Sequence, residues 1–218
     1  MAGDAPIVPP DFDAAFQRRF EDLLLWRRDV RRFLEAPVED ALLDRLKAMA
    51  DIAPSVGNSQ PWRFVDVRAP AARQAVIDSF SRSNAQAAEG YRGAKAALYA
   101  SLKLEGLRQA PVHLAVFCDE TTEQGAGLGR QSMPEMLRYS TVGAIQTLWL
   151  AARAYGLGVG WVSILEPREV SRALDAPASW TLVAYLCLGW PREEHIDPEL
   201  ERHGWQARTP SQARFVTR

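Results

Sequence analysis

The sequence contains few of the residues that bind metals or form disulfides, with 2 cysteines and 3 histidines. His113, His195 and His203 show no metal-ligand spacing with one another or with the cysteines, so we predict no metal site. Cys118 and Cys187 lie in apolar, strand-like runs. Such positions are typical of buried, reduced thiols in a cytoplasmic protein.

A strong net charge and a long apolar run are also missing. The formal net charge is -1, which excludes a global attraction to nucleic acid or to an anionic membrane. No stretch approaches the roughly 20 apolar residues that a membrane helix needs. The first residues, MAGDAPIVPPDFD, carry acids and prolines and no apolar run, so we expect no signal peptide. Any anion site must therefore be local.

Helical and strand patterns alternate along the chain and predict one layered α+β domain over residues 1–218. The run VHLAVFC (112–118) is almost continuously apolar, which indicates a central strand. The helical pattern at 135–156 is apolar around much of its circumference, which favours burial against a sheet or in a dimer interface. Residues 191–218 form a polar tail that we expect to extend over another surface. The other predicted elements are strands at 63–68, 159–165 and 179–190, and helices after Asp11, at 42–50, at 69–109 with a break near Gly90 and Gly93, and at 168–174.

The stretch WRRDVRRF places four arginines, Arg27, Arg28, Arg31 and Arg32, around one acid, Asp29. If the preceding helix continues, Arg27 and Arg31 are one turn apart on one face. Guanidiniums that converge on one point suit a phosphate, because each donates a fork of hydrogen bonds. The alternative is a solvated basic helix end, and the spacing alone favours that alternative slightly.

A second stretch, APSVGNSQPW (53–62), combines turn-forming Pro and Gly residues with short polar side chains. Such a loop can present backbone N–H groups and amides to a planar polar ligand. The alternative is an ordinary connection between a helix and a strand, and both interpretations remain open.

The third stretch, GLGVGWVSI (156–164), is not a dinucleotide-binding fingerprint, because its glycines follow a helix and precede a strand. We expect Gly158 and Gly160 to permit the close approach of backbone, either of a ligand or of a neighbouring strand. Ser163 is expected at a buried or cleft-facing strand position.

Taken in order, the RRDVR segment, the APS…QPW loop and the GxGxGW strand resemble the nitroreductase-like flavoprotein family, over about residues 20–210. The resemblance implies a central, mainly antiparallel sheet flanked by helices, an intertwined homodimer, and FMN bound at the dimer interface. Within that family the sequence is similar to the 5,6-dimethylbenzimidazole synthases, notably in SLKLEGLRQAP (101–111), in residues 139–164 and in LCLGW (186–190). Ordinary nitroreductases more often have Ser at the place of Asp29.

That subfamily resemblance implies an unusual reaction, in which reduced FMN is a substrate and not a retained cofactor. With O₂, the flavin yields 5,6-dimethylbenzimidazole, the lower ligand of vitamin B12, and erythrose 4-phosphate. NAD(P)H acts only indirectly, through a separate flavin reductase. Two alternatives stay open: an NAD(P)H-dependent FMN nitroreductase or flavin reductase, and a protein that only stores or delivers FMN.

The resemblance also implies roles for individual residues. Arg27, Arg28 and Arg31 would hold the phosphate and ribityl end of FMN. Asp29 would act as a general base near the junction of the ribityl chain and the ring, with its pKa lowered by the neighbouring arginines. Ser163 would hydrogen-bond the flavin near the position of oxygen addition.

The remaining flavin contacts are expected from several segments. Residues from about 85 to 110 would form a lid that keeps water and nicotinamide away from the flavin. Arg208, in the tail, would add a phosphate contact. The other expected contacts are Val30, Ser55, Gln60, Lys103, Leu104 and Gly160.

Overall fold

The computed structural model describes residues 8–211 and 214–217. The beginning of the N-terminal stretch discussed above, residues 1–7, and residues 212, 213 and 218 of the tail lie outside the described residues. A four-stranded antiparallel sheet forms the centre, with strands β1 (Trp62–Asp66), β2 (Val112–Asp119), β3 (Gly158–Val162) and β4 (Trp180–Gly189). The strand order is β1-β2-β4-β3, so the apolar strand β2 has a neighbour on each side, as predicted. The predicted α+β fold with a mainly antiparallel sheet is confirmed.

Helices pack on both faces of this sheet. The predicted break in the Ala-rich region is confirmed, because one helix ends at Ala88 and the next begins at Gly93. Within residues 8–211 and 214–217, no helix is both long and apolar enough to cross a membrane. The helices are α1 (Ala14–Trp26), α2 (Asp40–Asp51), α3 (Pro70–Ala88), α4 (Gly93–Ser101), α5 (Met136–Ala154), α6 (Pro167–Ala173) and α7 (Glu199–Arg202).

The alternation of side chains along the strands produces one apolar core on each face of the sheet. In β2, Leu114 and Val116 point to the face covered by α2 and α5, where they meet Ile145 and Leu148. The intervening residues of β2 face α3 and α6 and join the second core, whose fully buried members include Val76, Ala115, Phe117, Tyr185 and Cys187. Both cysteines are free and buried, as predicted.

Helices α1 and α5 both carry apolar side chains at helical spacing, but only α5 is buried in the single chain. Helix α5 lies under the sheet, and its buried residues are Leu137, Ser140, Thr141, Ala144, Ile145, Leu148, Trp149 and Ala152. Helix α1 buries none of its residues, although Phe16 and Phe20 are large and apolar. Its N-cap is Asp13, whose carboxylate accepts from the N–H of Phe16 at 2.7 Å, and not Asp11 as expected.

The first helix does not continue into the arginine segment, so the condition for placing Arg27 and Arg31 one helical turn apart is not met. Helix α1 ends at Trp26, and the backbone is extended at Arg27. The N–H of Val30 donates to the carbonyl of Val159 at 3.0 Å, and residues 29 and 159 form a parallel bridge. The segment therefore pairs with the free edge of β3, which is incompatible with a helix.

A buried histidine gives a testable consequence of this packing. His113 is 2% exposed, and its Nδ1 lies 3.0 Å from the hydroxyl of Tyr185. Burial lowers the pKa of His113 to about 4. As the pH falls below the ordinary value near 6.5, the unfolded chain binds a proton that the folded chain cannot, so the free energy of unfolding decreases.

We predict that the wild-type protein loses about 2 kcal/mol more stability than His113→Gln between about pH 7.5 and about pH 5. Urea unfolding of both proteins at the two pH values measures this difference. Tyr185→Phe, which keeps the histidine, should retain the wild-type pH dependence. An equal loss in the wild type and His113→Gln would contradict the prediction.

Candidate functional site

The extended arginine segment alternates its side chains between two environments. Because residues two apart lie on the same side of an extended chain, Asp29 and Arg31 face each other. Arg31 Nε donates to Asp29 Oδ2 at 2.7 Å. Arg28 and Arg32 face the tail instead, since Arg28 Nε donates to the carbonyl of Ile196 at 2.7 Å. The acid in the basic segment is thus the partner of one particular arginine.

Asp29 is held at both carboxylate oxygens. Besides its ion pair with Arg31, it accepts a hydrogen bond at Oδ1 from the backbone N–H of Trp161, at 2.9 Å. Burial raises the pKa of Asp29 above its usual range, and the opposing effects of Arg31 and of the Trp161 N–H are smaller. The expected lowering of this pKa by the arginines is therefore wrong, because desolvation of the carboxylate outweighs them.

Two glycines allow the segment to approach β3 so closely. A Cβ atom on Gly160 would lie 2.1 Å from the carbonyl oxygen of Val30, and one on Gly158 would lie 2.7 Å from Cγ2 of the same residue. Neither distance is compatible with a side chain. The prediction of close backbone approach is confirmed at Gly160, which faces the Val30 carbonyl, whereas Gly158 makes room for the Val30 side chain.

The four arginines differ in their partners. The Nη1 atom of Arg32 lies 2.8 Å from Oε1 of Glu199 and 3.2 Å from Oε1 of Glu193. Arg27 lies over the ring of Trp149, 5.1 Å from its centroid. Within the described residues, no carboxylate lies at ion-pairing distance from Arg27 or Arg28.

The unpaired guanidiniums repel each other. Burial lowers the pKa of Arg28, and the charges of Arg27 and Arg208 lower it further, with a partial offset from Asp197. Three guanidiniums near one another, none at ion-pairing distance from a described carboxylate, favour the binding of an anion, because an anion reduces their mutual repulsion.

These residues border one open cavity of about 230 Å³. It brings together Arg27, Arg28, Asp29 and Arg31 with Arg208, which lies about 180 residues further along the chain. The tail supplies the opposite wall. The lining residues are Arg27, Arg28, Asp29, Arg31, Pro198, Glu199, Leu200 and Arg208.

Arg31 joins this site to the predicted lid. Its Nη1 donates to the backbone carbonyl of Lys103 at 2.9 Å. The ammonium of Lys103 is itself engaged, at 3.1 Å from Glu105 Oε1, and Leu104 packs against the second core. The lid residues Lys103 and Leu104 therefore reach the arginine segment through backbone, while their side chains point to other partners.

Ser55 and Gln60 lie in a different part of the chain from the arginines. Their loop is fixed at the beginning of α5, where the N–H of Val56 donates to Ser140 Oγ at 3.0 Å. Arg27 stacks near the other end of α5, on Trp149. Ser140 and Trp149 are about 14 Å apart along the helix axis. The loop and Arg27 therefore contact different halves of α5.

The Ser55–Gln60 loop has a constrained backbone. Ser55 Oγ accepts from the N–H of Gln60 at 3.0 Å. Asn58 and Gln60 have positive φ angles of 55° and 43°, which non-glycine residues rarely adopt. The side chain of Gln124 supports this conformation by donating to the carbonyl of Asn58 and to Gln60 Oε1, at 2.8 and 3.0 Å. Such strain persists only where neighbouring contacts enforce it.

Ser163, expected at a buried or cleft-facing strand position, is neither buried nor within a strand. Strand β3 ends at Val162, and Ser163 is exposed just beyond it. Its hydroxyl has no hydrogen-bond partner in the described part of the chain. It stands three residues after Gly160, on the segment whose Trp161 N–H binds Asp29.

Sequence patterns missed several residues of this site. Glu199 and Leu200 belong to a polar tail that carries no periodic signal, yet they line the cavity. Glu199 is largely buried, and it contributes to the raised pKa of Asp29. The contribution of Trp161 is a backbone N–H, which no sequence motif specifies.

The geometry places three arginines without an ion-pair partner beside a half-buried carboxylate, on an antiparallel sheet with helices on both faces. The model of the nitroreductase family matches residues 24–190. The protein belongs to this family. An FMN-bound crystal structure of iodotyrosine deiodinase is similar to it, with a TM-score of 0.68, 27% identity, and coverage of 80% of this chain and 91% of that chain.

Two curated relatives are more similar in sequence and share one name. A 5,6-dimethylbenzimidazole synthase of Rhodospirillum rubrum is 60% identical over 201 residues, which is 92% of this chain and 95% of that protein. A 5,6-dimethylbenzimidazole synthase of Rhodobacter capsulatus is 48% identical over 202 residues, which is 93% of this chain and 98% of that protein.

The close contact between Gly160 and the Val30 carbonyl predicts that a methyl group added at residue 160 destabilises the protein. In Gly160→Ala the new Cβ would overlap the carbonyl oxygen of Val30, so residues 29 and 30 must move away from β3. We expect a loss of about 2–4 kcal/mol in the free energy of unfolding, as for an overpacked core site. Chemical denaturation measures it. Gly90→Ala, at an exposed helix end, is the control and should change stability by less than about 1 kcal/mol.

Proposed function

We propose that this protein is a 5,6-dimethylbenzimidazole synthase, which converts reduced FMN and O₂ to 5,6-dimethylbenzimidazole and erythrose 4-phosphate. The observation that carries the proposal is the pairing of Asp29 with Arg31 beside an unpaired arginine cluster, in a chain 60% identical to a protein of that name. Reduced flavin comes from a separate flavin reductase that uses NAD(P)H. The reaction takes place in the cytoplasm.

The phosphate of FMN binds to Arg27, Arg28 and Arg208. These three guanidiniums border one cavity, and no described carboxylate pairs with them. A phosphate therefore gains charge-assisted hydrogen bonds without breaking an existing ion pair. The expected phosphate role of Arg31 has less support, because its charge is paired with Asp29 and its Nη1 donates to the Lys103 carbonyl.

Asp29 acts as the general base that removes a proton from the ribityl end of the flavin. A base is most effective when its pKa lies near the working pH, and burial moves the pKa of Asp29 in that direction. Arg31 and the Trp161 N–H hold the carboxylate in one orientation. The chain thus supplies a carboxylate that is fixed in place and more basic than an exposed one.

The flavin ring is enclosed by a second copy of the chain. Ser55 and Gln60 lie near the opposite end of α5 from Arg27, and in a homodimer the loop of one protomer reaches a flavin held by Arg27 and Arg28 of the other. The exposed apolar side chains of α1 support the same arrangement, since Phe16 is 39% and Phe20 is 43% exposed in the single chain. Gly160 and Val30 line the ring from one protomer, and Ser163 reaches it near the site of oxygen addition.

Residues 85–110 cover the bound flavin as a lid. The lid is joined to the arginine segment by Arg31, and Gly106 packs against Phe33 so closely that a Cβ would lie 2.4 Å from its ring. A covered flavin is protected from water and from direct contact with a nicotinamide. This arrangement favours fragmentation over an NAD(P)H-dependent reductase reaction.

A product assay tests the proposed function. The purified protein is incubated with FMN, O₂, NADH and an independent flavin reductase, and 5,6-dimethylbenzimidazole is sought by chromatography. We expect its formation with stoichiometric loss of flavin. Survival of the flavin, with oxidation of NADH in the absence of the added reductase, would instead identify an ordinary flavin-dependent reductase.

The role of Asp29 is tested in the same assay. Asp29→Asn retains the shape of the side chain and loses the base, so product formation should fall by at least about 100-fold. The dissociation constant of FMN, measured by fluorescence quenching, should change little, because the phosphate is held elsewhere. A normal rate in Asp29→Asn would make the residue structural.

The phosphate site is tested by comparing FMN with riboflavin. Arg28→Ala should weaken FMN binding by roughly 10- to 100-fold, the value of hydrogen bonds to a charged group, and leave riboflavin binding almost unchanged. Arg32→Ala is the matched control from the same segment, since Glu193 and Glu199 occupy its guanidinium. The ratio of its dissociation constants for FMN and riboflavin should equal that of the wild type. An equal effect of Arg28→Ala on both flavins would contradict the assignment.

A further inference from the structure

One aromatic side chain of the tail, Trp205, contacts the lid. Its ring lies edge-on to Tyr91 at 5.3 Å and tilted to Tyr99 at 6.0 Å, and these two tyrosines stack at 4.7 Å. The ammonium of Lys95 lies 3.6 Å from the centre of the Trp205 ring and donates to the Trp205 carbonyl at 3.0 Å. We call Tyr91, Lys95, Tyr99 and Trp205 the aromatic latch.

Helix α4 has few other attachments. Tyr99 is its one buried residue in Gly93–Ser101, and its hydroxyl donates to Asn84 of α3 at 2.7 Å. Aromatic pairs and a cation over an indole ring are each favourable. Because α4 contributes a single side chain to the interior, the contacts of Trp205 are a large share of what holds the helix in place.

The other side of the tail is attached to the arginine segment. The carbonyl of Ile196 accepts from Arg28, and Arg208 borders the cavity that contains Arg27 and Arg28. Only two residues separate Trp205 from Arg208. The tail thus extends from the anion site to the lid, with Trp205 at one end of a short link and Arg208 at the other.

We propose that Trp205 is a positioning residue that fixes α4 over the flavin and makes the position of the lid depend on occupation of the phosphate site. A phosphate bound to Arg208 restricts residues 205–208. The tail then loses less conformational entropy when Trp205 packs on Tyr91, Lys95 and Tyr99. By linkage, the latch also favours phosphate binding. FMN, which carries the phosphate, therefore closes the lid more effectively than riboflavin. This inference rests on the proposed function.

Hydrogen exchange of residues 93–101 tests the latch without any turnover. We expect exchange to be roughly tenfold faster in Trp205→Ala than in the wild type, as for a locally opened segment. In the wild type, FMN should slow this exchange more than riboflavin does. In Trp205→Ala, the two flavins should slow it equally little. Trp205→Phe, which keeps an aromatic face, should restore most of the protection. Lys95→Met is a second variant that removes the cation and preserves the fold.

The matched control is Trp180→Ala, which removes a partly buried tryptophan that also faces a cation, with Arg63 5.9 Å from its ring. It lies at the start of β4, so exchange of α4 should stay unchanged. Unchanged exchange in both Trp205→Ala and Lys95→Met would overturn the latch. Equal protection by FMN and riboflavin would overturn its dependence on the phosphate.

The consequence for the reaction is measured as 5,6-dimethylbenzimidazole formed per reduced flavin consumed. In Trp205→Ala this ratio should fall several-fold, because an open lid admits water, while the flavin is still oxidised. Faster exchange with an unchanged ratio would make Trp205 structural and overturn its positioning role. If the wild type forms no product, the proposed function fails, whereas the exchange experiment still decides whether the latch holds α4.

Discussion

The pairing of residues 29 and 30 with the free edge of β3 is the interaction on which the site depends. It rests on the backbone hydrogen bond from the Val30 N–H to the Val159 carbonyl, and on the Trp161 N–H that donates to the Asp29 carboxylate. Gly158 and Gly160 make the approach possible, because any side chain there would collide with Val30. The pairing keeps the segment extended, and the extended backbone decides which charged groups meet.

The charges of the arginine segment are divided by this geometry. Arg31 pairs with Asp29 and donates to the Lys103 carbonyl, and Arg32 pairs with Glu199 of the tail. Arg28 donates to the Ile196 carbonyl and Arg27 lies over the Trp149 ring, so neither forms an ion pair with a described carboxylate. Removing a carboxylate even partly from water is costly unless it is paired and hydrogen-bonded, and the Asp29 side chain is only 30% exposed. Asp29 meets both conditions while burial still raises its pKa. Tight orientation and increased basicity are thus combined in one residue.

The same segment connects three parts of the molecule that are remote in sequence. Strand β3 holds it on one side, the lid reaches it at the Lys103 carbonyl, and the tail reaches it at Arg28. A change in any of the three can therefore alter the surroundings of Asp29. The loop with Ser55 and Gln60 is separate from this assembly in one chain, and its strained backbone is supported by Gln124.

The sequence by itself determined the elements whose burial repeats at short range, including β2, α5 and the break between α3 and α4. The order of RRDVR, APS…QPW and GxGxGW also indicated the nitroreductase family. The sequence left open whether the first helix continues beyond Trp26. The helix ends there, and the next segment pairs with the edge of β3 instead.

Only the tertiary structure decided the pKa of Asp29, the exposure of Ser163 and the presence of Glu199 in the cavity. Burial and charge proximity depend on contacts between distant segments, and no local pattern encodes them. The separation of Ser55 and Gln60 from the arginines along α5 is likewise a property of the packed chain. Sequence spacing specifies neighbours within one helix or strand, whereas the folded backbone specifies which of these elements meet.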